Sequence, residues 1–90
     1  MLVARRFVVS GRVQGVGFRY FTQAVAAEED ISGWVCNTPD GRVEVDAEGE
    51  ADAIARFEQR ISRGPAGARV EHVETTDGPS GGRGPGFHIR

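Results

Sequence analysis

The stretch GRVQGVGFR, Gly11 to Arg19, places three glycines within seven positions, between an apolar alternating run and a run of helix formers. Glycine lets the backbone turn where a Cβ would clash, so that successive N–H groups can converge on one point. The helix expected from Phe18 onward adds its own unpaired N–H groups and the positive end of its dipole. Arg19 adds a permanently charged fork of donors. Backbone amides, dipole and guanidinium together describe a pocket for a doubly charged oxyanion such as a phosphate.

Working outward, Arg6 to Val13 alternates as a strand does, with Phe7 and Val9 on one face. Downstream, Phe18 to Glu29 carries a helical apolar stripe at Phe18, Phe21 and either Ala24 or Val25. Asp30 is placed to close that helix, because Asp tolerates the left-handed conformation better than most non-glycine residues. Ile31 to Thr38 reads as a second strand, Pro39-Asp40-Gly41 as a turn and Arg42 to Glu48 as a third strand. That third strand should point Val43, Val45 and Ala47 inward and leave Glu44, Asp46 and Glu48 as a solvated face.

Glu50 to Arg63 predicts a second helix on Ile54, Phe57 and Ile61, stopped by Gly64-Pro65. Ala68 to Thr76 is a fourth strand, and the three-residue spacing of Val70 and Val73 predicts a bulge in it. Asp77 to Gly86, with five glycines and two prolines in ten residues, is expected to be a mobile surface loop that packs on nothing. Phe87 to Arg90 is expected to dock as a short final strand. The order βαββαβ plus this short strand, with two helices on a mostly antiparallel sheet, is that of an α+β ferredoxin-like two-layer sandwich. Ninety residues are expected to make one domain, 1–90.

Composition removes several function classes. All eleven basic residues are arginine, so lysine-dependent chemistry, including the phosphate loop of nucleotide hydrolases and Schiff-base formation, has no residue to work with. A net charge of −2 and a pI near 5.6 oppose a nucleic-acid surface. One cysteine and two histidines do not assemble a metal site of ordinary spacing. No apolar run approaches the roughly 20 residues of a membrane span, and arginines interrupt the first apolar run in the wrong order for a signal peptide. The lone Cys36 fits a reducing compartment, so a cytoplasmic location is expected.

GRVQGVGFR, followed after thirteen residues by GWVCNTPDGRVEV at Gly33 to Val45, resembles the acylphosphatase family of small enzymes that hydrolyse acyl phosphates. The resemblance extends over essentially the whole chain, through GPAGARVE after the second helix to the terminal FHIR. It implies no metal, no cofactor and no phospho-enzyme intermediate. It also implies that the family's catalytic arginine and asparagine fall on Arg19 and Asn37, and its phosphate loop on Gln14, Gly15, Val16, Gly17 and Phe18. Three positions depart from the family pattern. Cys36 stands where a basic residue is common, Glu29 where an apolar residue is usual and Asp30 where a helix-ending glycine is usual.

The residues carry the same roles on physical grounds. Phosphoryl transfer spreads negative charge over peripheral oxygens, which a guanidinium fork and loop N–H groups can hold. Asn37 lies two residues after Val35 and so points to the same strand face, towards the start of the first helix if Val35 packs beneath it. Its amide has both a donor and an acceptor with which to orient a water. Asp40, the nearest carboxylate, belongs to a turn, and the family resemblance implies that the substrate's own phosphate oxygen takes the water's proton.

Other candidates fit less well. His72 and His88 lack a neighbouring nucleophile in any known pattern. Glu44, Asp46, Glu48 and Glu50 lack a calcium-loop pattern, and Phe18, Tyr20 and Phe21 sit on a helix rather than on an RNA-stacking sheet. The expected protein is a monomeric hydrolase of small acyl phosphates, with inorganic phosphate as product and inhibitor and no nucleic-acid or membrane partner. The alternative is a non-catalytic acylphosphatase-like module that binds an anion or a protein partner.

Overall fold

Alternation decides which strand lies at the centre. In the computed structural model, which describes residues 1–90, β3 (Val43–Glu50) pairs with β1 (Leu2–Arg12) on one side and β2 (Ser32–Asn37) on the other. β4 (Arg69–Gly78) lies outside β1, and β5 (Phe87–Ile89) lies outside β2, giving the order β4-β1-β3-β2-β5. Every neighbouring pair is antiparallel except β2 with β5. Helices α1 (Phe18–Glu28) and α2 (Ala51–Arg63) cover one face, α1 over β2 and β5, α2 over β1, β3 and β4. This is the ferredoxin-like sandwich expected from the order of elements.

Between the layers, Phe7, Val9, Val35, Val43, Val45, Ile54, Phe57 and Ile61 are fully buried. The Phe57 ring stands between those of Phe7 and Phe87, at centroid distances of 6.0 and 6.1 Å. Truncating Phe57 to Ala would cost about 3–5 kcal/mol by leaving a cavity that the sheet cannot close. On α1 the buried stripe is Phe18, Thr22, Val25 and Ala26, so Val25, and not the exposed Ala24, is the core residue. Asp30 ends the helix at φ 57°, as its tolerance of that conformation predicted.

The bulge anticipated from Val70 and Val73 is present. Register jumps from Ser10 opposite His72 to Gly11 opposite Val70, which leaves Glu71 unpaired and turns both valines to the core. Gly11 makes the close approach possible: at its φ of 124°, a Cβ would lie 2.1 Å from the Arg69 carbonyl oxygen.

The N-terminal run from Leu2 is part of β1, pairing with β3 from Leu2 opposite Glu50, and Arg5 meets Asp77 opposite it on β4 at 2.9 Å. Two expectations are corrected. Asp46 and Glu48 are not solvated: they are 4% and 7% exposed, while Glu44 is half-buried. The segment after β4 is not a loop without packing. It carries the chain from one sheet edge to the other across the outer face, where Arg83 meets both acids. Alternation told which way these side chains point, but not that another part of the chain covers them.

Candidate active site

β1 delivers the chain into the glycine loop, and Gly15 and Gly17 adopt φ of 75° and 79°. A Cβ on either would meet nothing within 4 Å, so glycine is needed there for conformation rather than for space. Gly17 is the N-cap of α1, in the left-handed conformation, with no side-chain cap and no acidic residue in the first turn. The first helical bond runs from the Phe21 N–H to the Gly17 carbonyl at 3.0 Å. None of the backbone N–H groups from Gln14 to Tyr20 donates to an acceptor within the protein. A run of unpaired donors at a helix start, free of competing carboxylates, is a geometry able to receive an anion.

The six residues assigned to the cradle divide by role. Phe18 sends its ring into the core, 2% exposed, and Val16 packs against that core, so both can offer a ligand only their backbone. Gly15 and Gly17 are exposed and supply the turn. Gln14 commits its side chain elsewhere. Its amide nitrogen donates to the Thr38 carbonyl at 2.8 Å and to the Arg42 carbonyl at 2.9 Å, tying the loop to the β2–β3 turn. Arg19 donates to the Arg90 main-chain oxygen at 3.4 Å through one η-nitrogen, which leaves the rest of its fork unengaged.

Asn37 is bracketed by these contacts. On one side, the Arg90 that accepts from Arg19 donates its own N–H to the Val35 carbonyl at 2.9 Å, two residues before Asn37. On the other, Gln14 grips Thr38, the next residue. Val35 is fully buried under the helices, so Asn37, on the same strand face, emerges at the rim of that layer, half-buried. The arginine and asparagine singled out in the sequence are thus joined to one framework of loop, helix, β2 and β5.

The turn beside Asn37 is locked from within. The Thr38 hydroxyl bonds to the Asp40 carboxylate and to the Arg42 backbone, and Arg42 grips the Asp40 Oδ2 at 2.6 and 2.9 Å. The Arg42 guanidinium first and the Thr38 hydroxyl second hold the Asp40 carboxyl down at about 2, so it remains an engaged anion and a poor proton acceptor. Cys36 points to the opposite face, where burial first and Glu44 second push its thiol above the ordinary value. His72 and His88 are both exposed on strands. No three His, Cys, Asp or Glu side chains converge in a metal-ligating group.

Sequence reasoning missed Gln14 as a clamp and Thr38 and Arg42 as a turn lock. The signal available was a threonine opening a Thr-Pro-Asp-Gly-Arg turn, where its hydroxyl can mimic a backbone group.

Across residues 5–89 the chain matches the family model described as Acylphosphatase. The chain belongs to the acylphosphatase family. An acylphosphatase of Thermus thermophilus is 50% identical over 82 residues, covering 91% of this chain and 92% of that protein. One from Rubrobacter xylanophilus is 49% identical over 85 residues, 94% of this chain and 77% of its own. The crystal structure of acylphosphatase from Bacillus subtilis superposes with a TM-score of 0.94 at 41% identity, covering 100% of this chain and 99% of that one. The acylphosphatase fold is therefore shared over the full length of the chain. No helix of the chain is long and apolar enough to cross a membrane.

Proposed function

We propose that this acylphosphatase-family chain hydrolyses acyl phosphates to a carboxylate and inorganic phosphate by direct attack of water on phosphorus, with Arg19, Asn37 and the Gln14–Phe18 backbone as its working parts. The single observation that carries this assignment is the uncapped run of N–H groups from Gln14 to Tyr20 beside an Arg19 fork with only one η-nitrogen engaged. The phosphoryl group sits in the N–H cradle, and Arg19 binds two of its oxygens, where charge grows as the bond to the carboxylate oxygen stretches.

Asn37 holds the attacking water opposite the leaving group, its side-chain carbonyl accepting one of the water's hydrogens. The water's proton passes to a phosphate oxygen of the substrate, since Asp40 is engaged by Arg42 and Thr38. A carboxylate leaves well, so no acid is required on the far side. Inorganic phosphate fits the same cradle as product and inhibitor.

The working unit is residues 1–90 as one domain, acting as a monomer on small molecules in the cytoplasm without a metal or cofactor. One continuous sheet with its core and a lone unpaired Cys36 support that picture. The test is hydrolysis of benzoyl phosphate with and without a chelator. Turnover in both is expected, and an intact substrate in both overturns the reading.

A further inference from the structure

The segment after β4 has a difficult path. It leaves one edge of the sheet, passes over β1, β3 and β2, and must deliver β5 to the other edge. Its composition works against order, because glycine loses more backbone freedom on fixing than any other residue. β5 itself is three residues long, with β2 as its only ladder partner, too short to hold by itself.

One side chain opposes that freedom. Arg83 grips Asp46 with two parallel bonds, Nε to Oδ2 at 2.7 Å and an η-nitrogen to Oδ1 at 2.9 Å. Its other η-nitrogen lies 3.5 Å from Glu48 and donates to the Pro79 carbonyl at 3.1 Å, closing the segment on itself. The Gly81 N–H donates to Glu48 as well. All of these acceptors except Pro79 are side chains of β3, the rigid centre of the sheet. From this anchor the chain reaches Gly86, whose carbonyl accepts from the Gly33 N–H at 3.1 Å. β5 then runs to Arg90, which bonds Val35 and receives the one hydrogen bond made by the Arg19 side chain.

We infer that Arg83 is a positioning residue for catalysis: by pinning the 79–86 strap to Asp46 and Glu48 it fixes β5, and through the Arg90 main-chain oxygen it fixes the direction of the Arg19 fork. The inference rests on the hydrolase reading above. Arg83 lies on the opposite face of the sheet from the helices and touches no substrate; it acts by removing alternatives open to Arg19. The N–H cradle is held by β1 and α1, not by the strap, so phosphate should still find its seat when the strap is loose. What suffers is the alignment of charge with the transition state.

The test is a kinetic cycle on Arg83→Ala, Arg19→Ala and the double variant with benzoyl phosphate. Arg83→Ala is expected to lose about tenfold in kcat, the scale of a displaced catalytic group, while KM moves by less than about threefold. In the Arg19→Ala background the same change should cost nothing further, since Arg83 then has nothing left to aim. Arg83→Lys, which keeps the charge, should recover part of the loss.

Full wild-type kcat in a folded Arg83→Ala protein, or losses that simply multiply in the double variant, overturns the inference. Asp46→Asn carries the same test should Arg83→Ala not fold. Hydrogen exchange adds a readout free of activity. In the wild type the Gly81, Gly33 and Arg90 amides should open together, and Arg90 exchanging more than about tenfold faster than Gly81 overturns the coupling. Wild-type protein that leaves benzoyl phosphate intact would instead sink the hydrolase reading, and the exchange experiment would still decide whether the strap holds β5.

Discussion

The Gln14 side-chain amide donates to the Thr38 carbonyl at 2.8 Å and also to the Arg42 carbonyl at 2.9 Å, so a residue of the glycine loop holds both ends of the β2–β3 turn. Asn37 stands immediately before that turn, and its position relative to the cradle therefore depends on a side chain and not on the sheet alone. Gln14→Ala removes both donors, and two hydrogen bonds at the usual net value amount to about 1–3 kcal/mol of stability. The expected outcome is a folded protein with a lower urea midpoint and a kcat reduced by more than the loss of stability explains at a temperature where the variant is fully native. An unchanged kcat would show that the clamp serves folding only.

Arg19 and Asn37 are assigned different duties, and the two assignments separate in a binding experiment. Arg19→Gln should lower benzoyl phosphate turnover by at least about 10², the scale for one preorganised donor at a developing charge, and should weaken competitive inhibition by inorganic phosphate. Asn37→Ala should lose turnover while the phosphate inhibition constant stays near the wild-type value, because the N–H cradle and Arg19 are both intact. Loss of phosphate inhibition in Asn37→Ala would move that residue from the water to the phosphate.

The parts of this picture legible in the sequence are those set by near neighbours in the chain. Gly15 and Gly17 announce their conformation by being glycine, Val43, Val45 and Ala47 announce a buried face by period, and the odd spacing of Val70 and Val73 announces the bulge. What stayed hidden links side chains far apart in sequence: Gln14 to Thr38 across 24 positions and Arg83 to Asp46 across 37. Alternation placed Asp46 and Glu48 opposite the core, and the natural inference was water. A single arginine inside a Gly/Pro segment, facing two strand acids that could need a partner, was the available clue. Periodicity has no means of reporting it.

Asp46 makes acid stability measurable. Its carboxyl is held below the ordinary value by Arg83 first, against the opposing effect of burial, with Arg6 helping at 3.3 Å. A carboxyl depressed in the folded state contributes in full above its unfolded pKa of about 3.9, and that contribution disappears as pH falls through the lower folded value. The contribution of Asp46 to the thermal midpoint of the wild type should therefore be present at neutral pH and be lost progressively below about pH 5. Asp46→Asn should start lower at pH 7, by about 1.5–3 kcal/mol for a lost charge-assisted bond, and fall less steeply in acid. Parallel acid limbs for the two proteins would remove Asp46 from the list of groups responsible.

Two positive-φ glycines should respond unequally to a methyl group. Gly33 has φ 146°, and a Cβ there would lie 1.8 Å from the Asp46 carbonyl oxygen, inside the sheet where neither strand can retreat. Gly33→Ala combines that clash with backbone strain and should cost on the order of 3 kcal/mol or more, lowering Tm by at least about 12 °C for a domain of this size. Gly15, at φ 75°, has open space around it. Gly15→Ala meets only the left-handed penalty of about 1–2 kcal/mol, with the smaller drop in Tm that follows. If the loop instead relaxes out of that conformation, its N–H groups no longer converge, and inhibition by phosphate weakens while the fold is kept. A Gly15→Ala protein as unstable as Gly33→Ala would mean that the loop supports the fold and is not simply laid on it to hold an anion.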